Sequence, residues 1–399
     1  MKKALLITWT DGCNYGTILQ CYCLKNILEN PSIVELDGSN NIMFNIKVNV
    51  LNYKNVNKNK KSFKMKLKKM MNNSFNTNKK IINFKIKMHR YKIITHSYRD
   101  NLQKREKIFY DFKKENFNYY PETIIKDPSE LKKISNFDYY IIGSDQVWNP
   151  NLLDPIYLLD WADKNKNKFS YAPSLCVSNI PKEKEKFYSK LNEFNNISIR
   201  EDNGIKKQLE RISGKEVNVV ADPVILYGRN ALLKKCKKDE KNKKYILSYL
   251  LGNTKKTRKY FLNFGKENNI EMKSIIAVNP LHVSNDNILK KYAIWDVNPL
   301  EIVNKIFNAE VVVTDSFHVM VISTLLHKNF IILPRENSTS QQNNRITSFL
   351  KMVGLEKRYN FKPNKISEID ISEDEWQKVD ERINIERQKS FNYLKNCLN

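Results

Sequence analysis

Apolar residues follow two periods along this chain, and the two alternate. Lys3–Thr8, Phe137–Ile142 and Ala309–Thr314 are nearly continuous apolar runs, the pattern of strands buried on both faces. Further strands are predicted at Val34–Leu36, Lys168–Ala172, Asn196–Asp202, Val217–Val220, Tyr245–Leu251, Lys273–Ala277 and Asn329–Leu333. Between them, apolar residues recur every three to four positions and predict helices. Thr17–Leu28 is one, and Ile108–Phe117, with Phe109, Phe112 and Phe117 toward the core, is another. Pro299–Asn308, Ser316–Leu326, Asn344–Val353 and a long Ser372–Asn396 complete the set. Ser372 and Glu375 have capping-box spacing at the start of the last one. Strands alternating with helices, twice over, predict an α/β protein of two Rossmann-like parallel-sheet domains. Ligands of such sheets bind beyond the carboxyl ends of the strands, here in a central cleft between the domains. The pattern breaks near Tyr227-Gly228-Arg229, and residues 234–244 are almost all charged. The boundary is therefore placed between 1–228 and 229–399, the long last helix falling in the second domain.

Composition adds a charge problem. The 399 residues are 41% hydrophobic and 11% aromatic, with a formal net charge of +26. No run approaches the ~18 apolar residues of a membrane span. The short apolar stretch Ala4–Ile7 meets Asp11-Gly12 with no small-residue cleavage site, so it reads as a first strand and the protein as cytoplasmic. The charge is concentrated: residues 51–105 hold 17 Lys and Arg and a single acid, Asp100. This Lys/Asn-rich stretch reads as an insertion in the first domain. Within it Phe63, Leu67, Met70 and Met71 fit one face of a basic helix, which could lie on an anionic membrane surface. A solvated insertion accounts for the same charge. Nucleic acid ranks last, because no nucleic-acid motif accompanies the basic residues. The six cysteines form no Cys-x-x-Cys pair, and with the five histidines they make no zinc signature.

The candidate chemistry sits where predicted strands end. Thr314-Asp315-Ser316-Phe317-His318 closes a strand and opens a helix, which brings Ser316 and His318 to the cleft. A histidine there can bind an anion or move a proton. Arg200 ends the strand near 196–199 and can clamp a phosphate or carboxylate. Its plain alternative is pairing with Glu201, Asp202 or another acid. Gly143-Ser144-Asp145-Gln146-Val147-Trp148-Asn149 puts Ser144, Asp145 and Gln146 after another strand; a helix N-cap is the alternative for Asp145. Asn14, Tyr15, Gly16 and Gln20 belong to the turn and helix after the first strand. Arg335, Arg345 and the Ser338–Gln342 run follow the last predicted strand as a further candidate anion site.

Four segments occur in a telling order: Asn14-Tyr15-Gly16-Thr17-Ile18-Leu19-Gln20, the 143–149 loop, Ser198-Ile199-Arg200-Glu201-Asp202, and Thr314-Asp315-Ser316-Phe317-His318. Ser170-Tyr171-Ala172-Pro173-Ser174 and Ala221-Asp222-Pro223 agree with them. In these segments the chain resembles the polysaccharide pyruvyl transferase family, from about residue 4 to about residue 355. The resemblance implies a two-domain glycosyltransferase-B-like fold. It implies transfer of the pyruvyl group of phosphoenolpyruvate to a sugar of a cell-surface polysaccharide or its precursor, as a cyclic ketal, with phosphate released. The family's catalytic histidine falls on His318, and its phosphoenolpyruvate-binding arginine on Arg200. Arg335 or Arg345 would supply a second cation. No cofactor or metal is implied beyond the donor substrate, and the acceptor would be a sugar or lipid-linked oligosaccharide. An enzyme of that kind could work at the inner face of the membrane. Family members commonly carry a small residue after the histidine; here it is Val319. Two other readings stay open: a glycosyltransferase using a nucleotide sugar, and a non-catalytic member of surface-polysaccharide machinery.

Overall fold

A computed structural model describes residues 1–36, 39, 42–55, 98–202, 204–239, 243–252, 254–277, 283–335 and 341–398. The basic helical face at 63–71, most of the 51–105 insertion and Ser338–Ser340 lie outside the described residues.

Seven parallel strands make the first half: β1 (Lys2–Ile7), β2 (Ile46–Tyr53), β3 (Tyr119–Ile125), β4 (Tyr139–Ile142), β5 (Asn167–Ser170), β6 (Ile197–Ile199) and β7 (Val217–Val219). The first five are ordered β3-β2-β1-β4-β5. A bridge from Phe169 to Asn196 links them to the β6–β7 pair. The second half has β8 (Tyr245–Tyr249), β9 (Glu271–Ile275), β10 (Ala293–Ile294), β11 (Val311–Thr314) and β12 (Asn329–Ile332). Their order is β10-β9-β8-β11-β12, the same winding as the first five. Every described ladder is parallel. These are two Rossmann-like parallel sheets. Each reverses strand order next to its first strand, between β1 and β4 and between β8 and β11. That reversal opens a crevice at the strand ends. The crevice loops are the ones that carry the polar motifs.

Two expectations fail here. Val34–Leu36 is not a strand: Pro31–Val34 is a 3-10 turn. The second strand is β2, where Ile46, Val48 and Val50 are buried in alternation beside β1. The 51–105 stretch is also not an insertion at its ends. β2 runs through Tyr53, and a helix, Arg99–Asn116, begins nine residues before the predicted Ile108. The last helix, Glu373–Leu398, has its capping box: Glu375 N donates to Ser372 Oγ (3.3 Å) and Ser372 N to Glu375 Oε2 (3.2 Å). This helix reaches back to the first sheet. Tyr139 Oη donates to Leu398 O (3.1 Å), Tyr393 Oη to Ser170 O (2.9 Å) and Ala221 N to Ser390 Oγ (2.7 Å). Cys21 and Cys23, on the first helix (Tyr15–Glu29), are small core residues. Among the described residues no helix is long and apolar enough to cross a membrane.

Arg105 shows why charge alone misleads. It belongs to the basic stretch, yet only 1% of it is exposed. Its guanidinium reaches into the second half and donates to the carbonyls of Trp295 (3.0 Å), Ile294 (2.8 Å) and Ile276. The rings of Tyr15 and Trp295 lie within 5.8 and 5.1 Å of it. A planar fork reaches the three carbonyls from three separate nitrogens, whereas an ammonium holds all its donors on one. Arg105→Met keeps the bulk but strands three acceptors, at about 3 kcal/mol or more. The expected result is a melting temperature several degrees lower by circular dichroism, not restored by Arg105→Lys. An unchanged value in Arg105→Met would show that this contact contributes nothing.

Candidate active site

Strand ends from both halves converge on one buried carboxylate, Asp222. It follows β7 and caps the helix Pro223–Leu233, with Val224 N donating to its Oδ1 (2.9 Å). Pro223 at the first helical position loses nothing by lacking an N–H. The other oxygen, Oδ2, accepts from Arg200 Nη1 at 2.8 Å and lies 3.4 Å from His318 Nε2. Arg200 follows β6, and His318 comes from the helix Phe317–Leu325 after β11. Asp222 is wholly buried. Burial alone would raise its pKa, but the charge and hydrogen bonding of His318 and then Arg200 overcome it. The carboxyl is held below the ordinary 3.8. Arg200 loses by burial too, yet Glu201, Asp222 and Asp145 together push its pKa up.

The histidine ring is also held on its other edge. A Cβ on Gly16 would lie 2.1 Å from His318 Nδ1. Only a glycine at the start of the first helix lets that backbone touch the ring. Val319 points away into the core and is 2% exposed, so the residue after the histidine does not crowd this contact.

Arg200 and Arg345 flank one ring. The guanidinium of Arg200 lies 4.7 Å from the centroid of Phe317, and that of Arg345 5.8 Å. Arg345 is in the helix Gln341–Val353 and is buried. Burial, and then the charge of Arg200, lowers its pKa. Its Nη1 is 4.0 Å from Asp145 Oδ1. The Gln146 amide, turned so that both its ends are satisfied, accepts from Arg345 at 3.2 and 3.3 Å. Among the described residues two nitrogens of this arginine pair have no acceptor, Arg200 Nη2 and Arg345 Nε, and both are buried. With Phe317, Asp222 and Glu201, the two arginines line a cleft of about 180 Å³. That is smaller than the ~300–1,000 Å³ of sites for drug-sized ligands.

The remaining sequence candidates separate into two groups. Asp145, Gln146 and Ser316 stand near the arginines or the histidine; Thr17 Oγ1 donates to Asp145 Oδ2 (2.8 Å), and Ser316 occupies the N-cap position of the helix of His318 without a side-chain capping bond. Gln20 and Ser144 are wholly buried behind the loop and bonded to each other, Ser144 N donating to Gln20 Oε1 (3.0 Å). Tyr15 is buried in the contact between the halves, donating to Val297 O (2.9 Å). Asn14 is exposed and caps the first helix through Thr17 N (3.2 Å). Arg335 Nη2 donates to Asp315 O (3.0 Å), whose carboxylate accepts from Leu251 N and Gly252 N, both 2.6 Å. Arg200 does pair with an acid, with Glu201 (3.1 Å) as well as Asp222. Sequence reasoning missed Asp222 and Phe317 as site members. The signal for Asp222 was Asp-Pro at a strand end; Phe317 had none beyond its place beside His318. Among the described residues no three His, Cys, Asp or Glu side chains are arranged to hold a metal ion.

The sequence profile of the family described as "Polysaccharide pyruvyl transferase" matches residues 14–337. The chain belongs to the polysaccharide pyruvyl transferase family. The matched range includes Gly16, the 143–149 loop, Arg200, Asp222 and His318. No curated protein matches the sequence. Among solved structures, the UDP-GlcNAc 2-epimerase of Neisseria meningitidis bound to UDP-GlcNAc is 12% identical, with a TM-score of 0.47, over 100% of this chain and 99% of that one. UGT89C1 of Arabidopsis thaliana complexed with UDP-L-rhamnose is 11% identical, with a TM-score of 0.44, over 100% and 98%.

Because the folded-state pKa of Asp222 is depressed, its stabilisation is complete above the unfolded value and is lost as pH falls through the folded one. The wild type should therefore lose stability as pH drops below about 4. Asp222→Asn should lose less over that interval and be weaker at pH 7 by about 3 kcal/mol, since Arg200 keeps its burial with Glu201 but without the Asp222 charge. Denaturant titrations at pH 7 and pH 3 read both effects. Equal stability at pH 7 would remove Asp222 from this role.

Proposed function

We propose that this member of the family transfers the pyruvyl group of phosphoenolpyruvate to two hydroxyls of a sugar in a surface polysaccharide or its precursor. The observation that carries the reading is the pair of buried, acceptor-less guanidinium N–H groups of Arg200 and Arg345 on either side of Phe317. Buried donors without partners are costly. A small, multiply charged anion would satisfy both. Phosphoenolpyruvate carries a phosphate and a carboxylate three carbons long, and either group fits a charge-assisted bond to a guanidinium.

The chemistry needs protons moved at defined places. Carbon 3 of the donor gains a proton as one sugar hydroxyl adds to carbon 2 and gives up its own. The bond from carbon 2 to the phosphate oxygen breaks, and phosphate leaves with the electron pair. The second hydroxyl then adds to carbon 2, losing its proton and closing the ketal. The proton balance is one to carbon 3 and one to phosphate. His318 is the group suited to give and take these protons. Asp222 at 3.4 Å from Nε2 would stabilise the charged imidazolium, and Gly16 would fix the ring plane. Arg200 and Arg345 would hold the donor and take up charge on the departing phosphate.

Thermal shift with phosphoenolpyruvate, beside a panel of nucleotide sugars, tests the donor. At a hundredfold excess over the dissociation constant, wild type should melt about 3 °C higher. Arg200→Ala should lose that shift. His318→Ala should keep it while losing turnover by about 10²–10⁴. Stabilisation by a nucleotide sugar and not by phosphoenolpyruvate would overturn the reading in favour of glycosyl transfer.

A further inference from the structure

The helix Pro223–Leu233 has Asp222 at one end and an unusual break near the other. Gly228 sits at φ 84° and ψ 172° and kinks it. A Cβ there would lie 2.3 Å from Arg387 Nη2, so the kink and the missing side chain together make room for Arg387 of the last helix. Arg387 and Arg229 line a cleft of about 200 Å³ between this helix, the turn Pro31–Val34 and the last helix. Arg229 lies seven residues beyond Asp222, just past the break at Gly228.

The cleft is also lined by two acids, Glu35 and Asp380, whose charges act on Arg387, but among the described residues neither forms an ion pair with either arginine. Arg387 donates only to neutral groups: the carbonyls of Leu226 and Val34 and the Asn384 side chain. Burial pushes its guanidinium down to about 10. Among the described residues Arg229 has no hydrogen-bond or ion-pair partner, and its Nη1 is buried. The two acids of the cleft are already engaged. Glu35 accepts from Lys234 (2.6 Å) and Asn230 (2.7 Å), and Asp380 Oδ1 lies 2.9 Å from His327 Nε2. Two guanidiniums in one small cleft, neither facing a free carboxylate, carry a desolvation cost that a bound anion would offset.

We propose that this cleft is a second ligand site, which binds a small oxyanion of the phosphate or carboxylate class between Arg229 and Arg387. It is separate from the Arg200–Arg345 cleft and independent of the donor assigned there. An anion in it would tie the kinked helix that carries Asp222 to the last helix.

The test uses the full chain with Arg200→Ala, which removes the donor-site arginine. Inorganic phosphate and acetate are added in turn at constant ionic strength, because phosphate also stabilises proteins by exclusion from their surface. One of them should raise the melting temperature by about 3 °C at a hundredfold excess over its dissociation constant. Adding Arg229→Gln should abolish that rise, and isothermal titration should show one site lost. Among the described residues Arg229 makes no bond, so the second substitution should leave the melting temperature without anion unchanged. Phosphate acting alone assigns the phosphate class, and acetate acting alone the carboxylate class. An equal rise with and without Arg229, or no rise with either anion, would overturn the proposal.

Discussion

The candidate site depends on one carboxylate taken fully out of water. Asp222 alone would be expensive to ionise where it stands, because burial opposes its charge. It stays charged because Arg200 arrives from one strand end and His318 from the other half of the molecule. The same group caps the helix that runs between the two halves. Removing Asp222 would leave the buried Arg200 with Glu201 alone, leave the histidine without its neighbour and leave a helix start uncapped. Few substitutions elsewhere in the chain touch three such functions at once.

That carboxylate works only because both sheets wind in the same order and deliver their polar loops to facing crevices. The contact between halves is held away from the cleft by Arg105, whose fork joins three carbonyls of the second half. It is held at the cleft by Gly16 against the ring of His318. A His318 that came from a loosely docked half could not keep a fixed distance to Asp222. The long last helix, bonded to β4 and β5, adds a third tie. Pre-organisation of this kind is what lets a site hold charges that water would otherwise screen.

Much of this was legible in the sequence. The nearly continuous apolar runs that end in polar residues, at 137–146 and 309–318, located two of the site loops, because a strand buried on both faces announces itself without any partner. β2 was missed because its apolar residues alternate with Lys47 and Asn49, a weaker signal than the continuous run of β1. β3 was missed because it is an edge strand: within Tyr119–Ile125 only Ile125 is buried, and the strand contains Pro121, which a central strand would reject. Arg105 looked like solvated charge because composition does not show where carbonyls converge. Asp222 and Phe317 became site residues only through neighbours more than twenty positions away in the chain, Arg200 for one and Arg345 for the other. Gln20 and Ser144 show the converse: motif residues whose bonds are spent inside the fold, Gln20 on Thr8, Thr17 and Ser144 N, and the Ser144 hydroxyl on Ala172 O.

The central claim is that the two arginines beside Phe317 form the donor site. A crystal structure of the protein with phosphoenolpyruvate bound addresses it most directly. The account predicts an oxygen of the phosphate or carboxylate at about 2.7–2.9 Å from Arg200 Nη2 and from Arg345 Nε, with carbon 3 turned toward His318. Phosphoenolpyruvate bound with neither arginine in contact, for example against the Leu251–Gly252 loop, would contradict it.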